Sequence, residues 1–129
     1  MTLIEYIIAT KILILKSNGK ILGTWHANSG GIDKSLPLPT GRYTVGVKPQ
    51  VDELKLGMPK GFNMSNEKGF FIALMPKFHT PRGKVGEGRF GIHPDGGASG
   101  THGCIGISRY ASTFLSLYRK YRPTILIVK

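Results

Sequence analysis

Apolar and polar positions alternate along this chain in short runs, with turn residues between them. Lys11–Lys16 (KILILK) and Lys20–Ala27 (KILGTWHA) flank Ser17-Asn18-Gly19, an order that predicts two strands joined by a tight hairpin. Upstream, the β-branched residues Ile4, Ile7, Ile8, Ile12 and Ile14 favour strand over helix. Asn28–Thr40 is rich in Gly, Ser and Pro and is expected to be a loop. Arg42–Lys48 (RYTVGVK) alternates as a half-buried strand does, and Gly69–Met75 (GFFIALM) is a continuous apolar run suited to a central strand. Pro49–Lys68, between them, is polar and irregular and is expected to be loop. Arg89–His93 and Cys104–Ile107 are two further short strands.

A helical period occurs once. In Arg109–Tyr121, Tyr110, Phe114, Leu117, Tyr118 and Tyr121 recur at three- and four-residue spacing, which predicts a helix with one aromatic-aliphatic stripe. Ser108 is the expected N-cap and Pro123 the stop. Thr124–Val128 closes the chain as an apolar strand. Many strands at turn spacing plus one helix near the C-terminus predict a mainly β sandwich or barrel. No repeat or composition shift divides the 129 residues, so residues 1–129 are expected to form a single domain.

Composition sharpens this picture. Glycine supplies 18 of the 129 residues, about twice the usual ~7%. With 8 prolines, that bias argues against a helical bundle and for closely packed loops. A single cysteine excludes an internal disulfide and an all-cysteine zinc cage. Eighteen Lys/Arg against seven Asp/Glu leave a formal charge of +11, spread along the chain without a basic run. Such a charge speeds encounter with polyanions, nucleic acid or an acidic cell wall alike, and names none of them. The apolar segment Leu3–Leu15 is broken by Glu5 and Lys11, lacks a basic n-region and a cleavage site, and at 13 residues is too short for a membrane-spanning helix. The expectation is a chain without a signal peptide or membrane span. Work outside the cytoplasm would then require separate export machinery.

The chemistry concentrates in Phe90–Ser108, FGIHPDGGASGTHGCIGIS. It holds the only cysteine, two of the four histidines and five glycines between positions 96 and 106. A thiol of ordinary acidity is only a few per cent thiolate at neutral pH, so a nucleophilic Cys104 needs an imidazole within hydrogen-bond reach. His93 ends one expected strand and Cys104 begins the next, with ten residues between them to close the loop. The backbone N–H groups of Gly103 and Cys104 are available to an oxyanion. The expected helix starts too far along the chain for its dipole to activate the thiol, because that effect fades beyond the first turn. A lone cysteine is most often a small buried apolar residue, and a lone histidine a hydrogen-bonded polar one. Residue chemistry leaves the catalytic and the structural readings side by side.

Thr101-His102-Gly103-Cys104-Ile105, with His93 upstream, resembles the active-site signature of L,D-transpeptidase (YkuD-type) domains. The hairpin ILKSNGKILGTWHANSGG and the segment Leu38-Pro39-Thr40-Gly41-Arg42-Tyr43-Thr44-Val45 are similar to that family's opening strands and its Pro-Thr-Gly segment. The resemblance implies a β-sandwich or barrel in which Cys104 is the nucleophile and His93 the general base, oriented by the carbonyl of Pro94. His102 and Gly103 would shape the oxyanion site, with Thr101 supporting the loop. The implied substrates are peptidoglycan stem peptides. The cysteine attacks the carbonyl of an L-centre (meso-diaminopimelate or lysine) joined to a D-residue, forms a thioester, and passes the acyl group to an amine or to water. No cofactor or metal is implied.

Two features depart from the family pattern: the His-to-Cys separation is eleven positions, shorter than usual, and Gly106 stands where Arg or Asn is common. The short spacer resembles compact relatives among type VI secretion effectors and phage-encoded enzymes. These can act as L,D-carboxypeptidases or D-amino-acid exchangers, and an effector would have a cognate immunity protein as partner. His79, Arg82 and Arg89 are expected to line the cleft and hold substrate carboxylates.

Three other readings compete. Gly86–Gly91 matches G-x-G-x-x-G literally, but Ile-His-Pro follows it rather than a helix, which argues against dinucleotide binding. His93, Asp95, His102 and Cys104 are possible zinc ligands, but their spacing fits no familiar zinc pattern, and a metal-bound thiolate is a poor nucleophile. The charge together with Trp25, Tyr43, Phe70 and Phe71 would suit a nucleic-acid surface, yet these aromatics read more naturally as strand core. No nucleic-acid partner is expected.

Overall fold

A computed structural model describes residues 1–30, 37–46, 70–77, 90–94 and 104–129. Their strands are β1 (Thr2–Ile7), β2 (Ile12–Ser17), β3 (Lys20–Ser29), β4 (Gly41–Val45), β5 (Ile72–Pro76), β6 (Phe90–Pro94), β7 (Ile105–Ile107) and β8 (Ile125–Val128), with helix α1 (Ala111–Tyr121) before the last. The strands close into a barrel in the order β1-β2-β3-β7-β6-β5-β4-β8. Neighbours are antiparallel except for two parallel pairs, β1 with β8 and β6 with β7. This is the mainly β architecture with one helix that the pattern predicts, realised as a closed barrel.

Period-two alternation explains the closure. Facing pairs put apolar side chains on the interior side of every strand: Ile4 with Leu15 and Leu126, Tyr6 with Leu13 and Val128, Ile72 with Ile92, Ile92 with Ile105. All of these are buried. A one-residue slip in any strand would turn its apolar set to the outside, so the register is strongly specified. The hairpin lies where Asn18-Gly19 predicts it: Ser17 pairs with Lys20, and both turn residues have positive φ (52° and 81°). That is the twist a two-residue hairpin requires and glycine tolerates without strain.

The helix corrects two expectations. It begins at Ala111 rather than Arg109, and its N-cap is Tyr110 in a left-handed conformation (φ 58°), without a capping side-chain bond. Ser108 is engaged elsewhere: its N–H donates to His26 O at 3.0 Å, and its hydroxyl meets side chains of β3. Tyr110 is therefore exposed rather than part of the apolar stripe, and the buried face is Ala111, Phe114, Leu115 and Tyr118. The helix ends as expected just before Pro123, with the Arg122 N–H donating to Tyr118 O at 2.8 Å. Phe114 and Trp25 form an edge-to-face pair with centroids 5.1 Å apart, which seats α1 against β3. None of the described helices is long and apolar enough to cross a membrane.

Candidate active site

The site is built on the outer face of β6 and β7. Because these strands are parallel and Ile92 lies level with Ile105, His93 lies level with Gly106. Ile92, Ile105 and Ile107 fill the barrel interior, so His93 and Gly106 belong to the outward-facing set. Cys104 directly precedes β7; if the strand alternation is extended one residue upstream of Ile105, it falls on that same outward face, diagonal to His93. Two residues along one strand and one strand across give a Cα separation of roughly 8 Å. Two side chains pointing to the same side can bridge that span. Cys104 is in no disulfide and is partly exposed just before β7.

His93 is 5% exposed, and its Nδ1 lies 2.6 Å from the carbonyl oxygen of Pro94. A carbonyl only accepts, so Nδ1 is the protonated nitrogen and Nε2 carries the basic lone pair. Proline suits this position because the contact uses its C=O alone, and Pro94 also ends the strand opposite Ile107.

The next strand brings an aromatic ring beside the imidazole. Ile72 pairs with Ile92 in the antiparallel β5–β6 ladder, so Phe71, one residue earlier, is level with His93 on the outer face. Its ring stacks on the imidazole, with centroids 6.0 Å apart and planes inclined by 13°. Gly91 makes room for it: a Cβ there would stand 2.3 Å from Phe71 Cζ. Trp25, Tyr43 and Phe70 are core as expected, whereas Phe71 is only partly buried and belongs to the site.

On the opposite flank, Asn28 of β3 lies level with Gly106. Asn28 Nδ2 donates to Ser108 Oγ at 3.2 Å, and the same hydroxyl lies 3.0 Å from His26 Nδ1. One row across the outer face therefore reads Asn28, Gly106, His93, Phe71. Gly106, buried and without a side chain, separates Asn28 from His93 in this row.

The family profile of the L,D-transpeptidase catalytic domain (YkuD) matches residues 2–123. The chain belongs to this family. Solved structures agree with the fold. An L,D-transpeptidase from Mycobacterium tuberculosis H37Rv superposes with a TM-score of 0.60 at 17% identity, covering 99% of this chain and 57% of that one. One from Mycobacterium smegmatis gives 0.54 at 21%, covering 99% and 58%. The Enterococcus faecium L,D-transpeptidase gives 0.59 at 16%, covering 99% and 49%. The chain thus spans about half to three-fifths of the length of these relatives. No curated protein sequence matches it.

Within this L,D-transpeptidase domain His93 is hydrogen-bonded to Pro94 O, and Cys104 directly precedes β7, the strand paired with β6. Thr101, His102 and Gly103 lie outside the described residues, as do His79, Arg82 and Arg89. Two of the four ligands of the zinc reading, Asp95 and His102, lie outside them as well. Phe71, Gly91 and Asn28 are the site-facing residues that sequence reasoning passed over. A signal for Phe71 was present: with Phe70, Ile72 and Leu74 inward, strict alternation turns Phe71 and Ala73 outward. The unbroken apolar run concealed it.

Proposed function

We propose that this L,D-transpeptidase domain is a cysteine acyltransferase acting on peptidoglycan stem peptides. The observation that supports the reading is the His93 imidazole, fixed through Nδ1 on Pro94 O at 2.6 Å, on a strand paired in parallel with the one that Cys104 directly precedes. His93 Nε2 takes the thiol proton, and Cys104 Sγ attacks the carbonyl of the L-centre to form an S–C bond. The oxyanion collapses, the C–N bond to the D-residue breaks, and the departing amine takes the proton back from His93. The thioester is then attacked by an acceptor amine or by water. The acceptor's proton passes to His93 and the thiolate leaves. Backbone N–H groups at Gly103 and Cys104 are the natural donors to the oxyanion. The +11 charge favours encounter with an anionic wall.

The test is incubation with tetrapeptide muropeptides, with and without a D-amino acid, read by product mass. Loss of the terminal D-residue means hydrolysis, its replacement means exchange, and a joined dimer means cross-linking. Any of the three supports the reading provided Cys104→Ala abolishes it. Undiminished turnover by Cys104→Ala contradicts it. Imipenem offers a second probe, since an L,D-transpeptidase similar in fold has been solved in complex with it. A covalent mass increase on wild type and none on Cys104→Ala is the expected outcome.

A further inference from the structure

A hydrogen bond to one imidazole nitrogen fixes one end of the ring but lets it pivot about that contact. The Pro94 carbonyl holds Nδ1 of His93 in this way. A flat surface beside the ring restricts that pivot, and the Phe71 ring supplies one: it is level with His93 across the β5–β6 ladder and nearly parallel to the imidazole, in an offset stack at 6.0 Å. The fit is close. Phe71 settles over the backbone of Gly91, where an added Cβ would stand 2.3, 2.5 and 2.8 Å from three atoms of its ring. The barrel core does not demand an aromatic here, because Phe70, Ile72 and Leu74 fill the interior and Phe71 points the other way.

We propose that Phe71 is the positioning residue of the L,D-transpeptidase site, acting through His93, with Gly91 as the notch that admits it. The inference rests on the reading of His93 as general base. The hydrogen bond sets where Nδ1 sits, and the stack sets the plane of the ring. Together they aim the Nε2 lone pair along one direction instead of a cone. Proton transfer depends steeply on that direction, and a displacement of about 1 Å at a reacting group can cost on the order of 100-fold in rate. Phe71 lends no atom to the reaction, so its loss should lower kcat and leave KM nearly unchanged.

The experiment is a double-mutant cycle on the full chain with Phe71→Leu, His93→Ala and the pair, alongside Phe71→Tyr and Cys104→Ala. Two rates are read: stem-peptide turnover, and alkylation of Cys104 by iodoacetamide at fixed pH. Thermal midpoints control for folding. Phe71→Leu keeps the apolar volume but removes the flat face, and is expected to lower kcat and the alkylation rate roughly 10- to 100-fold. Phe71→Tyr, which keeps the face, should stay within about threefold of wild type. In the His93→Ala background Phe71→Leu should cost nothing further, since its effect passes through the imidazole. Equal losses in both backgrounds, a rise in KM at constant kcat, or wild-type rates in Phe71→Leu would each overturn the inference. Those outcomes differ from failure of the underlying reading, which shows as turnover surviving in Cys104→Ala or an alkylation rate indifferent to His93→Ala.

Discussion

Gly91 passes beneath the Phe71 ring so closely that one added methyl group would stand 2.3 Å from its Cζ. A side chain cannot be added at Gly91 without moving the Phe71 ring. Gly91→Ala is therefore expected to push Phe71 off the imidazole and cost about 1–3 kcal/mol of stability, the usual range for overpacking. The accompanying Phe71→Ala change should relieve the clash and recover part of the stability, but none of the activity. Urea denaturation and turnover on the two proteins check this.

Glu5 supplies a second expectation. It is 7% exposed on β1, and Lys16 Nζ and Lys129 Nζ each lie 2.6 Å from one of its carboxylate oxygens. Hydrogen bonds from Lys129 and then Lys16 hold its pKa below the ordinary 4.5. A carboxyl depressed on folding stabilises the protein above its unfolded pKa, and that contribution is lost as pH falls through the folded value. Glu5→Gln should cost about 1–2 kcal/mol at neutral pH, below the top of the roughly 1.5–3 kcal/mol range for hydrogen bonds to charged groups because the Lys129 side chain is 55% exposed and screened by solvent. It should also flatten the fall of stability below pH 4.5, as measured by urea midpoints across the acid range.

At the other end of the pH scale stands Tyr6. Its hydroxyl donates to Ala27 O at 2.8 Å inside the barrel, and burial pushes its pKa from 10.0 up to about 12. The unfolded chain ionises first, so the stabilisation is intact below pH 10 and drains away as pH rises towards about 12. Tyr6→Phe should cost about 1–2 kcal/mol at neutral pH by leaving the Ala27 carbonyl without its donor. It should lose less than wild type between those two pH values. Alkaline denaturation curves decide.

Ser108 distinguishes a helix cap from a sheet contact. If it capped α1, Ser108→Ala would lower stability by about 1 kcal/mol and fray the helix. Its hydroxyl instead joins His26 Nδ1 and Asn28 Nδ2 across the β3–β7 pair. The expected result is unchanged helical ellipticity, with a loss of activity where the released Asn28 carboxamide flanks Gly106.

The strands were legible because local signals agreed with the global fold. Asn18-Gly19 dictates a hairpin whatever surrounds it, and the apolar positions of β2, β4 and β8 all point into one barrel. The family was legible from Thr101–Ile105 and the opening hairpin, whereas residue type and spacing alone left the roles of Cys104 and His93 open. What the sequence hid depends on neighbours distant along the chain. Ser108 reads as a cap until β3 arrives beside it, bringing His26 and Asn28 from about 80 residues earlier. Phe71 reads as core until the register with β6 shows which way it turns. The parallel β6–β7 pairing, which sets Cys104 diagonal to His93, is likewise invisible without the closed sheet order.

The most direct test of the central claim is the mass of the protein itself, taken milliseconds to seconds after mixing with a stem tetrapeptide. The expected result is a transient adduct of the tripeptide acyl group on Cys104, with one D-residue released per adduct and its formation strongly slowed in His93→Ala. A protein that releases the D-residue without ever carrying the acyl group, or that carries it in Cys104→Ala, would contradict the mechanism.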